Sequence, residues 1–306
     1  MSALPDQAVE LRRIVEEKRL VLRKKNQKGQ LRTIAVLSGK GGVGKSNVSV
    51  ALAYALADRG KRVILLDADL GMANLDILCG VSAKYNLSHL VKGSRTLNEI
   101  LIPLEDRVAL LPGGVVIREM ADLDDAALER VFDVLTELEE RADYLILDAG
   151  AGIHKGVLSF ARAADMALLI TTPEPTSVRD AYGVIKSLES GAERGRGRAL
   201  MLVVNMVSNR KEGQDVAERI RLASMQFLGN APTYLGHILK DDNVMRAVRG
   251  CKAFYRQTPA CSASHCVNKL TDELLRLWEG QPVPQETRAE GLRGFLLRLT
   301  RGLFDR

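Results

Sequence analysis

The chain has 306 residues, with 46% hydrophobic, 27% charged and 4% aromatic content, a balance that excludes disordered, collagen-like and disulfide-stapled chains. The formal net charge of +6 divides unevenly. Residues 1–32 carry nine Lys/Arg against four Asp/Glu, residues 285–306 carry five against three, and the rest sums to −1. Two basic appendages on a near-neutral body argue against a broadly basic DNA-binding protein, so no direct DNA binding is expected. No apolar run reaches the roughly 20 residues of a membrane span. Charges interrupt Leu11–Val21, so no signal peptide is expected either. Cys79, Cys251, Cys261 and Cys266 suit free thiols in a reducing cytoplasm. Cys261 and Cys266 with the adjacent His265 are too close together for good tetrahedral zinc geometry.

In chain order, an N-terminal arm (residues 1–31) precedes a body (32–279), followed by a linker and terminal helix (280–306). Within the body, strands are expected at Thr33–Ser38, Arg62–Asp67, Val108–Leu111, Tyr144–Asp148, Ala167–Thr171 and Leu200–Asn205. They are apolar throughout rather than alternating, as strands covered on both faces are. Helices are expected between them at Asn47–Asp58, Asp124–Glu140, Arg179–Ser190 and Asp215–Phe227. The alternation predicts an α/β fold: a three-layer, doubly wound, mainly parallel sheet with helices on both faces.

The first strand runs into Gly39, Lys40, Gly41, Gly42, Val43, Gly44, Lys45 and Ser46, a match to the phosphate-loop pattern G-x-x-x-x-G-K-[ST]. Glycines let successive backbone N–H groups curl around phosphate oxygens, and the following helix directs its positive end at them. Lys45 is expected on the β and γ oxygens and the Ser46 hydroxyl on Mg²⁺.

The run LSGKGGVGKS, with its early second lysine, resembles the deviant phosphate loop of the MinD/ParA ATPases. That resemblance implies a MinD-like phosphate-loop fold, ATP and Mg²⁺ as cofactors, slow hydrolysis, and an ATP-dependent homodimer. In it, Lys40 reaches across to the partner's phosphates. It implies further that Asp69 of Asp67-Ala68-Asp69 orients the attacking water, and that Asp67 belongs to the magnesium or water shell. Asp148, ending YLILD, would hold Mg²⁺ through a water, with Gly152 close to the γ-phosphate. Asp180 of EPTSVRD would pair with Lys40 when ATP is absent, and Asn205 would contact adenine, its amide both donating and accepting. The chain departs from MinD in Asp148-Ala149-Gly150-Ala151-Gly152, which lacks the usual hydroxyl residue and proline. Gly236–Asp241 also lacks a common proline.

The two ends narrow the resemblance. On a helical wheel, Leu292, Phe295, Leu296, Leu299 and Leu303 share an arc of about 100°, with Arg293, Arg298 and Arg301 elsewhere. Such a helix suits an anionic membrane surface, here the inner face of the cell membrane, ahead of the alternative of docking on the body, and both can hold in turn. The arm begins Asp6-Gln7-Ala8-Val9-Glu10-Leu11-Arg12, similar to the DQAxxLR element of the FlhG family, MinD-type ATPases that set flagellar number and placement. That resemblance implies an FlhF-type GTPase partner, stimulated through Asp6, Gln7, Leu11 and Arg12. It also admits flagellar C-ring components. Two alternatives stay open: an antiactivator gripping a flagellar transcriptional activator, and a ParA-type DNA-segregation ATPase, which the charge division disfavours.

Overall fold

The structure, a computed structural model, describes residues 31–69, 74–113, 137–190 and 199–279, together with positions 295 and 299. Strand β1 (Arg32–Ser38) leads through the glycine loop into α1 (Lys45–Asp58) and β2 (Val63–Ala68). Three short helices follow, α2 (Leu75–Cys79), α3 (Leu87–Val91) and α4 (Leu97–Ile100), then the hairpin strands β3 (Ile102–Glu105) and β4 (Val108–Pro112). Next come β5 (Tyr144–Ala151), α5 (Lys155–Ala163), β6 (Met166–Thr171), α6 (Pro175–Glu189), β7 (Ala199–Val207) and α7 (Arg210–Leu228). The described body ends with β8 (Thr233–Leu239), α8 (Asp242–Arg249), α9 (Phe254–Gln257) and α10 (Ser262–Glu279).

The eight strands lie in the order β3-β4-β2-β5-β1-β6-β7-β8, and only the β3–β4 pair is antiparallel. This is the expected doubly wound sheet. All six expected strands are present, and β3 and β8 are additions at the two edges. One apolar cluster lies under α5, α6 and α7; the other lies under α1, α8, α9 and α10. Helix α1 is buried along most of its length, Val48 to Leu56, because it is sandwiched between the sheet and α10. The winding direction reverses at β1, whose neighbours are β5 and β6. In open α/β sheets the crevice beyond the carboxyl ends at such a switch point is where ligands bind.

The far end of α1 is tied down by charge-assisted bonds. Arg59 donates to the Asn268 carbonyl at 3.0 Å and to Asp272 at 2.7 Å. Arg256 forks onto Glu105 with two 2.7 Å bonds and lies 4.7 Å from the Tyr54 ring centroid. Among the described residues, no helix is long and apolar enough to cross a membrane.

Phe160 on α5 is one of the largest fully buried side chains, 2% exposed. Phe160→Ala is expected to lower unfolding free energy by about 3–5 kcal/mol, read by equilibrium urea denaturation. A change below about 1 kcal/mol would mean that this helix does not seal the core.

Candidate functional site

The carboxyl ends of β1, β2, β5 and β7 gather most of the expected residues. Lys45, the first residue of α1, is 7% exposed, and its Nζ lies 3.1 Å from Asp148 Oδ1. Ser49, one turn along α1, donates its hydroxyl to the same oxygen at 2.7 Å. Sequence reasoning missed Ser49; its signal was the four-residue spacing from Lys45 on one helix face. Ser46 Oγ sits 3.5 Å from Lys45 Nζ.

Parallel pairing of β2 with β5 sets Asp67 directly beside Asp148. Both are buried, 4% and 1% exposed. Asp67 accepts N–H bonds from Asn74 at 3.0 Å, Leu75 at 3.1 Å and Asp69 at 3.3 Å. It therefore pins the loop that carries Asp69 back onto the strand end. Burial pushes its carboxyl up to about 6, with the Asp148 charge adding and the three N–H donors opposing. Cys79, on the helix that follows this loop, is also held up, to about 12, by burial and the nearby charges of Asp76 and Asp67. Asp69 Oδ1 lies 3.4 Å from where a Cβ on Gly150 would stand, so its carboxylate faces the end of β5. Gly152 donates its N–H to Ser38 O at 2.8 Å, closing that strand end over the loop.

Two glycines are required by close approach. A Cβ on Gly39 would stand 2.3 Å from the Asp180 carbonyl carbon, so the loop lies directly on α6. Gly44 has φ 85°, and a Cβ there would stand 2.4 Å from Asn205 Nδ2. Asn205 is 7% exposed and donates to Val43 O at 2.7 Å, while Met206 N donates to its Oδ1 at 2.9 Å. It thus braces the phosphate loop from β7. One amide N–H and one lone pair remain for another partner.

Lys40 corrects the sequence reading. Its Nζ donates to Glu174 Oε2 at 2.5 Å and to Thr176 Oγ1 at 3.2 Å, and not to Asp180. Glu174 stands at the N-cap of α6, facing the loop, whereas Asp180 lies further along the helix. There Asp180 meets Gly39 through its backbone, while its carboxylate accepts from Arg179 at 3.2 Å. The lysine pair is solvated, so it is worth no more than about 1 kcal/mol.

Of the terminal-helix positions, Phe295 and Leu299 are buried, 3% and 2% exposed, within the cluster under α5, α6 and α7. Leu292, Leu296 and Leu303 lie outside the described residues, as do Asp6, Gln7, Leu11 and Arg12.

The cradle fits a nucleotide phosphate with a divalent cation. Helix α1 starts with no acidic residue in its first turn and no side-chain cap, so its leading N–H groups are open to an anion. Lys45 would hold the phosphate oxygens, and the oxygen donors of Ser46, Asp148 and Asp67 are the hard ligands Mg²⁺ prefers.

Because the folded-state Asp67 value lies above the ordinary 3.8, the folded chain holds this proton more tightly than the unfolded chain. The stability from this group therefore falls as pH rises from about 4 through about 6. In ¹³C-labelled aspartate NMR, one carboxyl should titrate near 6 and drop in Asp148→Asn. A value in the ordinary range would contradict the burial and pairing described.

The family model for the CobQ/CobB/MinD/ParA nucleotide binding domain matches residues 34–250. Antiactivator FleN of Pseudomonas aeruginosa is 36% identical over 269 residues, 88% of this chain and 93% of FleN. Flagellum site-determining protein YlxH of Helicobacter pylori is 35% identical over 283 residues, 91% and 92% of the two chains. The cell division ATPase MinD of Pyrococcus furiosus superposes with a TM-score of 0.63 at 26% identity, covering 80% of this chain and 99% of that one. The chain belongs to the MinD/ParA family of nucleotide-binding ATPases, in its flagellar FleN/YlxH branch.

Proposed function

We propose that this ATPase is an ATP-driven membrane switch that controls flagellar number and placement. Lys45 and the loop N–H groups bind the phosphates of ATP, and Ser46 with Asp148 and Asp67 holds Mg²⁺. Bound by these oxygens, Mg²⁺ would supply positive charge against the phosphates. Asp69 orients the attacking water. Lys40 leaves Glu174 and reaches the phosphates of a second subunit, coupling ATP to dimer closure. Asn205 keeps the loop in register and offers its remaining amide N–H to the adenine edge.

The observation that carries the reading is the burial of Phe295 and Leu299. Two positions of a helix whose sequence suits a membrane surface are packed into the body that carries the phosphate loop. In this reading the terminal segment (280–306), linker and helix, is held on the monomer and released on dimer closure, and two released helices bind an anionic surface together through effective concentration. The N-terminal arm (1–31) docks an FlhF-type GTPase through Asp6, Gln7, Leu11 and Arg12, and the protein works in the cytoplasm at the inner membrane face, beside the C-ring. The likeness to FleN supports a second output, capture of a flagellar transcriptional activator.

Full-length protein should sediment with anionic vesicles in ATP and not in ADP, and Phe295→Glu should abolish sedimentation. Equal sedimentation with both nucleotides would remove the switch. Asp69→Ala should hold the ATP dimer, measured by light scattering, with turnover reduced at least 100-fold. Glu174→Gln, which loosens the hold on Lys40, should lower the ATP concentration for half-maximal dimerisation by up to about fivefold, the worth of a solvated ion pair. Asp180→Asn should leave it unchanged; the opposite ranking would return the pairing role to Asp180.

A further inference from the structure

The near-neutral body hides a local charge asymmetry. Residues 77–98 contain Lys84, Lys92 and Arg95 and no Asp or Glu. Residues 243–271 contain Arg246, Arg249, Lys252, Arg256 and Lys269, again with no Asp or Glu. The fold brings the ends of α2 and α8 together: a Cβ on Gly80, just after α2, would stand 2.9 Å from Cys251 O, just after α8.

Some of these cations are already spent. Arg95 pairs with Glu99 at 2.9 Å, and Arg256 with Glu105 and Asp58. Lys84, Lys92, Arg246, Arg249 and Lys252 are exposed, and among the described residues none has a carboxylate partner. Arg246 donates to the neutral Asn243 amide at 2.9 Å, and Arg249 lies 3.5 Å from Met245 Sδ. Two large apolar side chains stand exposed on the same elements, Ile77 of α2 at 53% and Met245 of α8 at 51%.

We propose that this α2–α8 face is a second membrane contact, made by the folded body itself, that lies on anionic lipid headgroups when the chain is bound. The inference rests on the membrane-switch reading above. Unpaired cations interspersed with exposed aliphatic side chains are what an interfacial surface presents, with the cations on headgroups and Ile77 and Met245 at the acyl boundary. The exposed isoleucine and methionine suit an acyl boundary better than a phosphate backbone, so the observations favour the bilayer. Each cation contributes about fivefold to binding at low ionic strength. The face therefore fixes the orientation of the body, which a single helix anchor alone does not.

The test uses the full chain with ATP and vesicles with or without phosphatidylglycerol. R246E/R249E/K252E should weaken binding to anionic vesicles at least tenfold with ATP turnover kept, and R246Q/R249Q/K252Q should give an intermediate loss if the reversal fails to fold. Raising salt to about 0.5 M should erase the difference between wild type and variant. Unchanged vesicle affinity in both variants, with Phe295→Glu still abolishing binding, would overturn the second contact and leave the switch standing. No vesicle binding by the wild type would overturn the membrane reading itself. Loss of duplex DNA binding in the variants without loss of vesicle binding would overturn the inference and assign the face to nucleic acid.

Discussion

Everything at the catalytic end of this molecule turns on two buried carboxylates set side by side, Asp67 and Asp148, with one buried cation paired to Asp148. Lys45 pairs with Asp148, Asp67 lies beside Asp148 on the neighbouring strand, and all three side chains are withdrawn from water. Such a cluster is short of positive charge. The chain compensates Asp148 with Lys45 and the Ser49 hydroxyl, and gives Asp67 three backbone N–H donors. Burial, with the Asp148 charge adding, still holds the Asp67 carboxyl above its ordinary value. A divalent cation entering here would supply the missing charge and free Lys45 to turn toward phosphate. The site is thus built to exchange partners, and charge balance makes ATP and metal mutually supportive.

Moving the Lys45 charge is felt widely because the loop is braced on two sides. Gly39 lies against the Asp180 backbone of α6, and Gly44 lies against Asn205 of β7. Neither contact admits a side chain, so the loop and its two supports must shift together or not at all. Asp67 carries the same constraint into the loop before α2, through the N–H groups of Asn74 and Leu75. Helix α1 then extends from the loop to Arg59 and α10 at the opposite end of the sheet.

The parts of this architecture that were legible in the sequence are those that physics writes locally. Strands buried on both faces show as apolar runs, and a phosphate loop shows as glycines followed by Lys-Ser. The two edge strands were not legible: Ile102–Glu105 contains Pro103, and Thr233–Leu239 is broken by Gly236 and only half buried, so neither gives a clean run. Nor was the partner of Lys40. Glu174 caps the helix that carries Asp180, and the fold, which sets Gly39 against the Asp180 backbone, leaves the Glu174 carboxylate to meet Lys40. The terminal helix showed its apolar stripe but not what covers it, since an amphipathic face reads alike for a membrane and for a protein core.

That last ambiguity has a physical use. Burying two side chains such as Phe295 and Leu299 contributes about 3–6 kcal/mol at most, from roughly 1.5–3 kcal/mol for each. Transfer into a bilayer interface would draw on the same hydrophobic term, so the choice between body and membrane is close to balanced for a single helix. A balanced choice is easily biased. Pairing two subunits leaves the docking energy of each helix unchanged but raises the effective concentration of the second helix at the membrane once the first is bound. Electrostatic attraction at the α2–α8 face would add a term that docking on the body cannot match, because those cations stay in water when the helix is docked. On this reading dimer closure needs no large rearrangement to redirect the helix. It needs only to tip an equilibrium whose two sides the same apolar stripe has already made comparable.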